Sequence, residues 1–103
     1  MAINHIHSND EFTQAINQDF VLVDFFADWC GPCQALGPIL EQVSGEVDYP
    51  IYKINIDELG DIAGQYQVVS IPTMMIFKNG EMVDKHVGVM QRDEIMTWVN
   101  SKK

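Results

Sequence analysis

Apolar residues along this chain recur with two periods, one belonging to strands and one to helices. The segment Phe20-Val21-Leu22-Val23-Asp24-Phe25-Phe26 is a nearly continuous apolar run of strand length, as in a central strand covered on both faces. Ile51-Tyr52-Lys53-Ile54-Asn55-Ile56 reads as a second strong strand, and Ile3–Ile6 as a short one. Residues 73–77 and 81–87 flank Asn79-Gly80, a dipeptide that favours a two-residue hairpin turn. Between these strands the period lengthens. Ser8-Asn9-Asp10-Glu11 is a capping box, with Phe12 and Ile16 four apart behind it. Leu36, Ile39, Leu40 and Val43 repeat at helical spacing, and Pro38 within them predicts a kink, since it cannot donate to the carbonyl of Gln34. Residues 58–66 read as a short, weak helix interrupted by Gly60 and Gly64. Residues 91–100 carry Ile95, Trp98 and Val99 on one face of a closing helix. The resulting order, β-α-β-α-β-α-β-β-α, predicts an α/β fold with a mostly parallel sheet and an antiparallel hairpin at one edge.

Length and charge narrow the function. At 103 residues one domain, spanning 1–103, is expected, and 47% hydrophobic content is enough for one packed core. Fifteen acidic residues against six basic give a formal net charge of −9. That balance repels nucleic acid and anionic membranes, so neither is expected as a partner. Its plainest meaning is a solvated acidic surface. Met1-Ala2-Ile3-Asn4-His5 has neither a basic region nor a long apolar stretch, and no apolar run approaches the ~20 residues of a membrane span. A soluble, cytoplasmic protein is therefore expected, and a monomer is the expected assembly state.

The chemistry lies in Cys30-Gly31-Pro32-Cys33, which holds both cysteines of the chain. The pair follows directly on the first apolar strand, beyond its carboxyl end, where ligand chemistry in α/β sheets is found. Two cysteines are too few for a secreted disulfide scaffold; two thiols separated by two residues at a helix start can close a reversible disulfide. A zinc site needs four ligands. No second such pair is present, and His5, His7 and His86 lack finger-like spacing, so redox chemistry is the better reading and no metal or other cofactor is expected. The second anomaly is Asp24, a carboxylate inside an apolar strand. The pattern leaves two readings open: a buried group with a raised pKa that carries a proton, or a partly solvated strand position.

Several separate stretches, in order, give the chain a family resemblance. They are Val23-Asp24-Phe25, Ala27, Trp29-Cys30-Gly31-Pro32-Cys33, Pro38, Lys53-Ile54-Asn55-Ile56-Asp57, Ile71-Pro72-Thr73, Phe77-Lys78-Asn79-Gly80-Glu81 and Val87-Gly88. Over nearly its whole length the sequence resembles the thioredoxin family. The resemblance implies a thioredoxin fold, a central five-stranded mixed sheet flanked by four helices. It also implies a dithiol–disulfide oxidoreductase that reduces protein disulfides and is recharged by an NADPH-dependent thioredoxin reductase, so the expected partners are that reductase and oxidised proteins. Three residues depart from the family pattern: Phe26 for a tryptophan, Gln34 for a basic residue, and Ser70 for a glycine before the Ile-Pro pair.

The resemblance also assigns roles. Cys30 is the expected nucleophile, with Pro32 as the first helical residue and the unpaired N–H groups of that turn directed at the Cys30 sulfur. Cys33, expected to be the more buried thiol, resolves the mixed disulfide. Asp24 serves as proton carrier for Cys33, with Lys53 as the neighbour that moderates its pKa. X-Pro bonds are trans by default, but the resemblance implies a cis Ile71–Pro72 bond facing the cysteines. The Ile71 backbone is then free to pair with a substrate strand, and Trp29, Gly31, Ile71, Val87, Gly88 and Val89 rim an apolar docking groove. An oxidant or isomerase commonly carries a histidine between the cysteines, and Gly31-Pro32 has none. A purely structural module has no need of Cys30, Cys33, Asp24 and Pro72 together. Of Met74 and Met75, strand alternation buries at least one; the three histidines are expected at the surface.

Overall fold

The apolar run that dominates the sequence forms the middle strand of the sheet. The structure, a computed structural model, describes residues 3–103; Met1 and Ala2, on which part of the leader reading rests, lie outside them. The elements are β1 (Ile3–Ile6), α1 (Asn9–Ile16), β2 (Val21–Phe26), α2 (Gly31–Ser44), β3 (Ile51–Asn55), α3 (Gly60–Gln65), β4 (Thr73–Lys78), β5 (Glu81–Val87) and α4 (Arg92–Asn100). The strands lie in the order β1-β3-β2-β4-β5. The chain has the expected five-stranded mixed sheet with four helices.

The expectation of a mostly parallel sheet needs correction. β3 is parallel to both β1 and β2, but β4 is antiparallel to β2, so half of the strand pairs are antiparallel. The reason is the length of α3. Six helical residues rise about 9 Å, whereas the six residues of β2 extend about 20 Å. α3 is too short to carry the chain back along the sheet, so β4 begins where β2 ends, with Thr73 opposite Phe25.

Strand alternation divides the core. Val21, Val23 and Phe25 pack with Phe12 and Ile16 of α1 and with Ile62 of α3. Leu22 packs with Leu36, Leu40 and Val43 of α2 and with Ile95 and Val99 of α4. Asp24 and Phe26 follow Leu22 at period two and so lie on the α2 side. Met74 and Met75 are both buried, because β4 is covered on both faces.

The helix caps differ from the sequence reading in two places. Ser8 caps α1 by accepting from the Glu11 N–H, but the Glu11 carboxylate takes the N–H of His7, one residue before the position a full capping box uses. The full capping box occurs at α4, between Gln91 and Glu94. α2 is continuous helix across Pro38. Asn79 and Gly80 both have positive φ, at 53° and 91°, as a two-residue hairpin turn of the expected type requires. The turn is pinned from α1, since Asn79 N–H donates to Gln18 O and Gly80 N–H to Ile16 O. Among the described residues no helix is long and apolar enough to cross a membrane.

Candidate active site

β2 ends at Phe26, and a short turn delivers Cys30 to the N-terminus of α2. Cys30 is the N-cap residue, in extended conformation, and Cys33 is the third residue of the helix. The two are joined as a disulfide, with Cα atoms 5.2 Å apart. The N–H of Cys33 donates to Cys30 Sγ at 3.2 Å, and the N–H of Gln34 donates to the Cys30 carbonyl at 3.2 Å. One first-turn amide thus points at the Cys30 sulfur, and the positive end of the helix dipole favours negative charge there. Pro32 is the second helical residue rather than the first. Its missing N–H still falls among the first four, which have no partner within the helix.

The two cysteines do not differ in burial as expected: Cys30 is 5% exposed and Cys33 4%. Cys30 is covered because it packs with Ala27, Cys33 and Ile71, and its sulfur lies 3.7 Å from the Ile71 carbonyl oxygen. In the disulfide this sulfur carries no hydrogen, so the approach is a contact; the reduced thiol has an S–H to donate there.

Asp24 is fully buried, at 0% exposure, which decides between the two sequence readings of its position. Neither carboxylate oxygen has a hydrogen-bond partner. Burial raises the pKa from 3.8 to about 7, and the positive charge of Lys53 opposes that rise. The sheet register explains why these two meet. His5, Lys53, Asp24, Met74 and His86 form one row across all five strands. A small cavity of about 250 Å³ behind the disulfide is lined by Phe26, Ala27, Asp28, Cys33, Gln34 and Lys53. Cys33 and Lys53 therefore open onto the same space.

Around the disulfide the surface is apolar and open. Trp29 is 69% exposed, which excludes a core role, and its indole N–H donates to Asp57 Oδ2 at 2.8 Å. Gly31 and Pro32 are exposed beside it. The Ile71–Pro72 bond is cis. Ile71 is half-buried and lies just before the first paired residue of β4, Thr73. Pro72 is buried and offers no surface of its own; its carbonyl accepts the N–H of Gly88 at 2.8 Å, which ties the Val87-Gly88-Val89 turn to the site. Val87 and Val89 are exposed, and Gly88 has φ of 102°, which favours glycine. Of the residues singled out from the sequence, Lys53 shares a cavity with Cys33, Ile71 packs against the disulfide, and Gly88 is bonded to the Pro72 carbonyl next to it.

Two residues were not singled out. Val69, 94% exposed, precedes Ser70-Ile71-Pro72 and adds an exposed apolar side chain to that segment; in sequence it is one more valine and carries no distinguishing signal. Asp57, which fixes Trp29, lies in a stretch that matches the family, and its proximity to Trp29 comes only from the fold.

The comparisons agree with this geometry. A family model described as thioredoxin matches residues 4–101. The chain is similar to a thioredoxin of Rickettsia felis, 46% identical over 78% of each chain. It is also similar to one of Chlamydia muridarum, 43% identical over 92% of this chain and 94% of that one. Among solved structures it superposes on a point mutant of thioredoxin from Halobacterium salinarum with a TM-score of 0.91 and 35% identity, covering 97% of this chain and 89% of that one.

Proposed function

The chain belongs to the thioredoxin family and is a dithiol–disulfide oxidoreductase, and from that premise we propose how its residues divide the reaction and which partners it meets. The observation that carries the proposal is the Cys33 N–H directed at Cys30 Sγ from the first turn of α2. A sulfur so placed is favoured as thiolate, the attacking form. Cys30 attacks one sulfur of a substrate disulfide; the Cys30–substrate bond forms as the substrate S–S bond breaks, and the departing thiolate takes a proton from water. Cys33 then gives its proton to the Asp24 carboxylate and attacks Cys30 Sγ. The Cys30–Cys33 bond forms, the second substrate thiolate leaves, and two electrons have passed from the dithiol to the substrate.

Asp24 suits the proton step because burial raises its pKa to about 7, close to working pH. Its face of β2 looks towards α2, the helix that carries Cys33. Trp29, Gly31, Pro32, Ile71, Val87, Gly88 and Val89 form the docking rim, Pro72 supports it from below, and Lys53 supports Asp24. The substrate in this reading is a protein segment met on the exposed apolar side chains of Trp29, Val87 and Val89, with the Ile71 backbone available for strand pairing.

In this reading residues 1–103 act as one domain, monomeric and cytoplasmic. The dithiol is restored by a thioredoxin reductase drawing on NADPH. The test is insulin reduction by the purified protein with NADPH and candidate thioredoxin reductases. Turnover that requires both cysteines supports the proposal; insulin reduction that persists in a Cys30→Ser variant overturns the assignment of the nucleophile.

A further inference from the structure

Lys53 and Asp24 are direct neighbours across the β2–β3 pair, yet they form no ion pair. Both carboxylate oxygens of Asp24 lack a partner, and among the described residues no lysine nitrogen lies within ion-pair distance of them. The Lys53 ammonium sits instead over the Phe26 ring, 4.3 Å from its centroid. Phe26 lies two residues beyond Asp24 on the same face of β2. Its ring is held from two other directions, by packing against the Ala27–Cys30–Cys33 cluster and by the edge of His5, 6.2 Å away at 79°. A buried carboxylate and an aromatic face thus compete for one cation, and in this structure the ring holds it.

We propose that Phe26 is a positioning residue, whose ring keeps the Lys53 ammonium clear of the Asp24 carboxylate and so sets how firmly Asp24 holds its proton. The physical basis is a balance of two attractions. A cation over a ring is held by about 0.5–2 kcal/mol, depending on solvation. A cation brought within 4–6 Å of a carboxylate lowers its pKa by about 1–3 units. With Lys53 on the ring, desolvation outweighs the attraction and Asp24 keeps a proton up to near-neutral pH. With Lys53 released, the ammonium reaches the carboxylate and the proton is lost at lower pH. The other groups facing Asp24 do not replace Lys53. Met74 on β4 is neutral, Cys33 on α2 is neutral in the disulfide, and His5 and His86 stand two strands away at either end of the row.

The inference deepens the reading of Asp24 as proton carrier and rests on it for its catalytic meaning, but it can be tested without turnover. The carboxyl carbon of Asp24 is followed by NMR against pH in the oxidised protein, where neither cysteine titrates. Phe26→Leu is expected to lower the Asp24 midpoint by about 1 unit, and Phe26→Trp to leave it at or above that of the unmodified chain. In a Lys53→Met background, Phe26→Leu is expected to have no further effect, because the group it releases is gone. An unmoved midpoint in Phe26→Leu overturns the proposal. So does an equal drop in the Lys53→Met background, which would mean that water entering beside Asp24 is responsible. If the midpoint moves as expected and the pH dependence of the resolving step does not follow it, the inference stands and the proton-carrier reading of Asp24 fails.

Discussion

The backbone N–H of Cys33 donates to Cys30 Sγ at 3.2 Å, so the turn that brings the two cysteines together also stabilises charge on one of them. Cys33 is itself the third residue of the helix, with its sulfur past the cap, and gains less from the same dipole. In the reduced protein Cys30 should therefore react with iodoacetamide at a half-maximal pH below the ~8.5 of a free thiol, and Cys33 should react more slowly across the neutral range. Peptide mapping after brief alkylation separates the two. Equal labelling would remove the helix terminus as the source of the difference.

Asp24 makes stability depend on pH, with a sign opposite to that of a salt-bridged carboxylate. Its pKa is 3.8 unfolded and about 7 folded, so between these values the folded state holds a proton that the unfolded state has lost. The stability this group contributes is complete at acid pH and is lost as pH rises from about 4 through about 7, by up to roughly 4 kcal/mol. Asp24→Asn should lack that loss, so above pH 7 it should be more stable than the unmodified chain, while its resolving step slows. Denaturant titrations at pH 5 and pH 8 measure the effect; parallel behaviour of the two proteins would place Asp24 in a solvated site.

Trp29 and Trp98 should report different events. Trp29 adjoins Cys30 and is held at the surface by Asp57, so its emission should follow the redox state of the neighbouring sulfur. Trp98 is half-buried on α4, where its indole N–H donates to Asp84 at 2.7 Å. Trp29→Phe should remove most of the redox-dependent fluorescence change, and Trp98→Phe should preserve it. The reverse would separate Trp29 from the disulfide.

Backbone conformation provides a contrast between two positions. Gln67 has φ of 56°, where an L residue is strained, while Gly80 has φ of 91° in the hairpin turn. Gln67→Gly should raise stability by up to about 1 kcal/mol, the relief of strain being partly offset by the flexibility of glycine in the unfolded chain. Gly80→Ala should lower it by about 1–3 kcal/mol, because the added Cβ also lies 2.7 Å from Asn17 Oδ1. Thermal melts of the two variants should move in opposite directions.

These residues also show what a sequence can convey. The Asn79-Gly80 turn was legible because only a few residues accept positive φ, and β2 because a nearly continuous apolar strand must be covered on both sides. The direction of β4 was not, since it depends on how far a six-residue helix carries the chain. Glu11 reaching His7 in place of Ser8, and the register shift between Ile76 and Phe77, depend on local geometry that residue types leave open. Within the site, Cys30, Cys33 and Asp24 stood out because a close thiol pair and a carboxylate in an apolar run are chemically unusual. Val69, Asp57 and the seat of Lys53 on Phe26 did not, because each arises from contact between segments distant in sequence or from exposure that the pattern does not encode.

The central claim, that Cys30 attacks and Cys33 resolves, is tested most directly by trapping. A Cys33→Ser variant incubated with a protein disulfide should accumulate a mixed disulfide through Cys30, seen by mass spectrometry as a stable adduct that dithiothreitol releases. Cys30→Ser should form none at the same pH and time. An adduct on Cys33 in the Cys30→Ser variant, with none on Cys30 in the other, would contradict the assignment and reverse the roles of the two sulfurs.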